Sequence, residues 1–116
     1  MKGLLGCPCC GINDTDPDFM KRLRSFEQEL GREIEITSMC RCKEHNASLK
    51  DSATNSEHLC GDGLRTQGVD IKAISGTEKY QIVVVGIKYF NRIGIGKTFV
   101  HLGGSKVLPQ KVIWSY

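Results

Sequence analysis

Three side chains of this sequence, those of His58, Asp70 and His101, could together bind a metal ion. His58 lies in a polar, glycine-rich stretch, whereas Asp70 and His101 each stand between two apolar residues. A buried carboxylate without a partner is costly, and a cation beside Asp70 would remove that cost. Two imidazoles and one carboxylate, with a fourth position for water, are typical ligands of a catalytic zinc ion, which supplies hydroxide at neutral pH.

The same three residues also have simpler interpretations. Asp70 could bond to backbone groups or face solvent, and His101 could be a half-exposed strand residue. Their types therefore predict a metal site only if the fold brings the three side chains together.

Cysteines form a second group of reactive side chains, and three interpretations of them stay open. They lie at positions 7, 9, 10, 40, 42 and 60. An even number in a short chain is compatible with disulfides, although the lack of an export signal favours reduced thiols. The segments Cys7–Cys10 and Cys40–Cys42 could instead bind a structural zinc ion through their end cysteines. Buried free thiols are the third interpretation.

The composition is that of one globular domain spanning residues 1–116. A net charge of +3 without basic clusters gives no support for nucleic-acid binding. No apolar run approaches the roughly 18 residues of a membrane span. An export signal has an apolar region of roughly 7–15 residues, which the N-terminal segment lacks. We therefore expect a protein that is made in the cytoplasm. We also expect it to be a monomer.

Local signals predict the elements that would position these side chains. A helix begins at Asp16 and Pro17, has apolar residues at three- and four-residue steps, and ends at Gly31. The alternating segment 33–37 predicts a strand, and residues 38–67 form a long polar stretch with a short helix near 44–49.

The second half of the chain predicts one further helix and four strands. Strands are expected at 68–74, 93–96, 98–102 and 111–116, and a buried helix at 77–90. The helix would bury a face formed by Tyr80, Val83, Val84 and Ile87. The predicted fold class is α+β, with two main helices packed on one small, mostly antiparallel sheet.

Several short motifs occur in an order that resembles a known family of enzymes. They are Ile36-Thr37-Ser38, Arg41-Cys42, His45-Asn46, Asn55-Ser56-x-His58, Gly68-x-Asp70-Ile71, Phe99-Val100-His101 and the terminal Trp114. This pattern resembles the zinc D-alanyl-D-alanine carboxypeptidases and peptidoglycan endopeptidases, particularly phage-type members. The resemblance implies the fold that these enzymes share with the zinc domain of hedgehog proteins.

The resemblance also implies roles for individual residues. His58, Asp70 and His101 would be the ligands of a Zn²⁺ ion. Arg41 would hold a carbonyl oxygen or a carboxylate of the substrate, and Ser56 would orient the loop beside His58. The implied activity is hydrolysis of amide bonds next to D-amino acids in peptidoglycan peptides, by zinc-activated water. A phage-encoded protein acting on the cell wall would fit this activity.

Two departures from the family pattern bear on catalysis. His58 and Asp70 are twelve residues apart, a longer interval than is usual in the family. Gly103 occupies a position where phage-type relatives carry an aspartate, and no acidic residue follows Glu78. The base that accepts the proton of the attacking water is therefore unknown, with Glu57 and Asp62 as candidates and Glu44 as a further one. The alternative function is a catalytically weak or inactive zinc module that binds the cell wall or a protein partner.

Overall fold

Six strands form one mixed sheet in the computed structural model, which describes residues 1–49 and 56–116. The strands are β1 (Lys2–Gly3), β2 (Glu35–Ser38), β3 (Gly68–Lys72), β4 (Arg92–Ile95), β5 (Phe99–Gly103) and β6 (Val112–Ser115). The helices are α1 (Pro17–Leu30), α2 (Lys43–Ser48) and α3 (Gly76–Gly86). The strand order is β1-β2-β3-β5-β4-β6. The central pairings are antiparallel and the outer ones, β1–β2 and β4–β6, are parallel. The α+β prediction is confirmed.

Helix α1 has the ends that its sequence predicts. The Asp16 side chain accepts a hydrogen bond from the Asp18 N–H, and Pro17 occupies the first turn. Gly31 ends the helix with φ of 80°, a left-handed conformation that glycine adopts without strain. Phe19, Leu23 and Phe26 on one side of α1 are buried and belong to the hydrophobic core.

Helix α3 forms where a helix was predicted, but the buried face that we predicted for it is wrong. Tyr80 and Ile87 are 72% and 57% exposed, whereas Ile82 is fully buried. Gly86 permits close contact with the sheet, because a Cβ there would lie 2.9 Å from Leu102 Cδ2. The helix is apolar on nearly every side, so its periodicity does not indicate which face meets the sheet.

One further difference concerns the N-terminal segment. No element was predicted before Asp16, yet Lys2–Gly3 pairs in parallel with β2. A two-residue edge strand has too few positions to show alternation. Among the residues described, no helix has the length and apolar character that crossing a membrane requires.

Candidate metal centre

The register of the two central strands brings Asp70 and His101 side by side. Asp70 on β3 lies directly opposite His101 on β5. Successive side chains of a strand point to opposite faces of the sheet. The apolar neighbours of both residues point into the core with the helices, at 0% exposure for Val69, Ile71, Val100 and Leu102. Asp70 and His101 therefore share the other face, which explains why polar residues interrupt these two strands.

The loop before β3 brings His58 to the same place. The His58 carbonyl accepts hydrogen bonds from the Arg41 N–H at 2.8 Å and from the Thr66 hydroxyl at 3.1 Å. On its ring, Nε2 lies 3.2 Å from Asp70 Oδ1, and Nδ1 lies 2.7 Å from the carbonyl oxygen of Met39. The sequence could not show the Met39 contact, because a backbone carbonyl carries no residue-type signal.

The three predicted ligands thus converge, each through one atom. His58 Nε2, Asp70 Oδ1 and His101 Nδ1 lie within 4.8 Å of one another. His101 Nδ1 is 2.9 Å from Asp70 Oδ1. All three residues are buried, with His58 at 3%, Asp70 at 9% and His101 at 4% exposure.

The donor and acceptor groups of this cluster are compatible with a bound cation. A carbonyl oxygen only accepts hydrogen bonds, so His58 Nδ1 must donate to Met39. Burial lowers the pKa of His58 more strongly than Asp70 raises it, which favours the neutral ring. A neutral ring then turns the lone pair of Nε2 towards Asp70, so two acceptors face each other at 3.2 Å. A metal ion between them would satisfy both, and the residues present therefore fit a zinc ion.

The pKa values of Asp70 and His101 are shifted by burial and by their contacts with each other. Burial raises the pKa of the Asp70 carboxyl, but contacts with His101 and His58 lower it by a larger amount. The pKa therefore lies well below its usual range. Burial lowers the pKa of His101, and its contacts with Asp70 and Glu57 raise it by more. Asp70 is therefore an anion and a ready cation ligand.

Glu57, one of the base candidates, contacts the side of the His101 ring that faces away from Asp70. Its Oε1 lies 2.9 Å from His101 Nε2, the nitrogen that points away from Asp70. Its Oε2 accepts a hydrogen bond of 2.9 Å from the Ser105 N–H, and Arg92 Nε lies 3.1 Å from Oε1. Burial raises the pKa of Glu57, but these contacts lower it by more, and the contact with His101 has the largest effect among them.

Two glycines opposite each other on β3 and β5 make room for the Glu57 carboxylate. A Cβ on Gly103 would lie 2.1 Å from Glu57 Oε1, and one on Gly68 would lie 2.7 Å from Glu57 Cβ. Glu57 therefore fills the space that a side chain at position 103 would occupy. The glycine at position 103, where the resemblance led us to expect an aspartate, was the one sequence signal of this arrangement. The sequence did not indicate that Glu57 would occupy that space.

The other predicted residues lie at varying distances from the cluster. Arg41 Nη2 is 3.9 Å from Asp70 Oδ2, and its other nitrogens donate to Ser38 Oγ and Asn46 Oδ1, each at 3.2 Å. The Ser56 hydroxyl accepts a hydrogen bond from the His58 N–H at 3.2 Å.

The remaining base candidates lie on the surface. Asp62 is exposed in a tight turn, 3.9 Å from Lys43 Nζ, and Glu44 is exposed in the first turn of α2. Asn55, which belongs to one of the matched motifs, lies outside the described residues.

Trp114 forms one wall of the cluster. It pairs in register with Gly94 on β4, which itself lies opposite His101. A Cβ on Gly94 would lie 2.6 Å from the Trp114 ring, so glycine allows the indole to lie across the strand. The ring centroids of Trp114 and His101 are 5.6 Å apart. The indole therefore covers one side of the His58, Asp70 and His101 cluster.

Two of the six cysteines form a disulfide that was not predicted as a pair. Cys40 bonds to Cys60 with their Cα atoms 5.8 Å apart. The suggested set of four zinc thiolates, which included Cys40, is therefore wrong. Pairing across a long loop depends on the fold, and the spacing of cysteines does not reveal it.

Comparisons with known proteins give one match. A family model described as Peptidase M15 matches residues 5–103, which include every predicted metal ligand. No curated protein and no solved structure matches the chain.

Proposed function

The chain belongs to the peptidase M15 family, and on that premise we propose that it is a zinc-dependent peptidase acting on peptidoglycan peptides. The observation that carries the proposal is the convergence of His58 Nε2, Asp70 Oδ1 and His101 Nδ1 on one point of the sheet. A zinc ion bound there would polarise the scissile carbonyl and lower the pKa of a water molecule towards about 7.

Arg41 is the residue best placed to act on the substrate. Its guanidinium lies beside Asp70, and two of its nitrogens are already held by Ser38 and Asn46. A fixed planar cation stabilises the negative charge that develops on a carbonyl oxygen during hydrolysis. We assign Arg41 this role, and Ser56 the role of holding the loop that carries His58.

Glu57 suits a positioning role better than that of the proton acceptor. It bonds to the nitrogen of His101 that points away from the other ligands. A carboxylate behind a ligating histidine fixes the orientation of the ring and strengthens it as a donor to the metal. Glu57 would thus supply from the loop the carboxylate that an aspartate at position 103 would supply from β5.

Replacing Glu57 by Gln should weaken zinc binding at this site about 10- to 100-fold, the usual cost of losing such a partner. Gln keeps the size of the side chain, so the fold should stay intact. Competition with a chromogenic chelator measures the affinity, and Glu44→Gln, at an exposed position, is the matched control.

A paired substitution tests the same role by rescue. Glu57→Ala removes the carboxylate, and adding Gly103→Asp returns one to the same space without the clash. The double variant should bind zinc more tightly than Glu57→Ala alone. Equal affinities in these two variants, with both folded, would contradict the positioning role.

Digestion of purified peptidoglycan tests the proposed activity. Zinc-loaded protein should release soluble peptide fragments whose masses place the cleaved bond beside a D-amino acid. Asp70→Asn protein at equal concentration is the control and should release none. The bond cleaved in the fragments defines whether the enzyme is a carboxypeptidase or an endopeptidase.

A second candidate function is a zinc module that binds the cell wall without cleaving it. It is favoured by the positions of the predicted bases, since Glu57 lies behind His101 and Asp62 lies beside Lys43 on the surface. Folded, zinc-loaded protein that sediments with insoluble peptidoglycan but leaves its peptides intact would support this function and contradict the first.

A further inference from the structure

The four cysteines outside the disulfide converge at a second place in the fold. They are Cys7, Cys9, Cys10 and Cys42, and their sulfur atoms all lie within 4.8 Å of one another. Cys9 Sγ is 3.2 Å from Cys42 Sγ and 3.5 Å from Cys7 Sγ. Cys7 and Cys42 are buried, whereas Cys9 and Cys10 are exposed, so the cluster lies at the surface with one side covered.

A tight turn presents three of these sulfurs. The Gly11 N–H donates to the Cys7 carbonyl at 2.7 Å, and the Cys7 N–H donates to the Ile12 carbonyl at 2.8 Å. Gly11 has φ of 78°, which closes the turn in a conformation that glycine adopts easily. A Cys-x-x-Cys segment on such a turn is typical of structural zinc sites.

Backbone N–H groups point at two of the sulfurs. The Cys42 N–H lies 3.4 Å from Cys7 Sγ, and the His45 N–H lies 3.4 Å from Cys42 Sγ. Hydrogen bonds to the charged form of a group favour that form, so these donors favour thiolates. Thiolate is the form of cysteine that binds metals.

The distances between the sulfurs match a shared metal ion. Sulfurs in a disulfide are about 2.0 Å apart. Four sulfurs placed tetrahedrally at about 2.3 Å from zinc lie about 3.8 Å apart. The separations of 3.2 and 3.5 Å are close to the second arrangement and far from the first.

We propose that Cys7, Cys9, Cys10 and Cys42 bind a structural zinc ion, distinct from the one at His58, Asp70 and His101. This ion joins the opening segment of the chain to the start of α2. Its effect reaches the candidate active site through Arg41, which lies between Cys40 of the disulfide and Cys42 of the cluster. The Arg41 backbone is thereby held on both sides.

Metal content and cobalt spectroscopy test the proposal. The full chain carrying Asp70→Asn, which impairs the first site, should still bind one zinc ion per chain. Replacing that zinc by Co²⁺ should give the strong sulfur-to-cobalt charge-transfer absorption of a tetrahedral thiolate site. Adding Cys9→Ser and Cys42→Ser should abolish both the zinc and this absorption.

The double variant Cys40→Ser/Cys60→Ser is the matched control, because it removes two cysteines and leaves the cluster intact. It should keep the cobalt absorption. The proposal is overturned if the Asp70→Asn chain binds cobalt without sulfur-to-metal absorption, or if it binds no metal. It is also overturned if peptide mapping without reductant shows disulfides among the four cysteines in zinc-loaded protein. These measurements do not require the serine variants to fold.

Discussion

Asp70→Asn should lower kcat/KM for peptidoglycan peptides by about 10³-fold or more and remove zinc from the site at His58. The substitution replaces an anionic ligand by a neutral amide of nearly equal size, so packing on β3 is kept. A metal acting as a Lewis acid contributes several kcal/mol to such a reaction, and each ~1.4 kcal/mol corresponds to tenfold in rate. Elemental analysis and fragment release measure the two effects.

Asp18→Asn is the control for this experiment, because Asp18 is exposed on α1 and its neighbour is Arg22 rather than a predicted ligand. It should retain both zinc and activity. An Asp70→Asn protein that keeps zinc at the His58 site and full activity would rule out the assigned ligand set.

Arg41→Ala should lower kcat by about 10²- to 10³-fold, the usual cost of removing one group that stabilises a developing oxyanion. Zinc content should be unchanged, because the Arg41 guanidinium lies 3.9 Å from Asp70 Oδ2 and replaces none of the ligand atoms. Arg41→Lys should recover only part of the rate, since an ammonium group lacks the planar fork of guanidinium.

Arg65→Ala is the matched control for Arg41. It lies in the same long loop region, but it is exposed and pairs with Asp14. Its removal should leave kcat unchanged. If Arg41→Ala instead raises only KM, Arg41 binds the substrate equally in the ground state and the transition state. That result would contradict an oxyanion role.

The elements of this fold could be predicted wherever their signals are local. Asp16, Pro17 and Gly31 define the ends of α1 by interactions within a few residues, and the structure confirms them. Apolar residues on both sides of Asp70 and His101 placed each on a strand, because alternation needs only neighbouring residues. The buried face of α3 was predicted wrongly because its apolar residues lie all around the helix.

The candidate site also has features that the sequence reveals and features that only the tertiary structure reveals. The sequence by itself determined which three residues we propose as ligands, since their residue types and the order of the surrounding motifs are visible without a fold. The tertiary structure alone decided how they are supported: Glu57 reaches His101 across 44 residues, in space left by Gly68 and Gly103. It also decided that Cys40 pairs with Cys60 while Cys9 joins the thiol cluster. These contacts join segments far apart in the chain, and only the packing of loops against the sheet determines which of many possible partners meet.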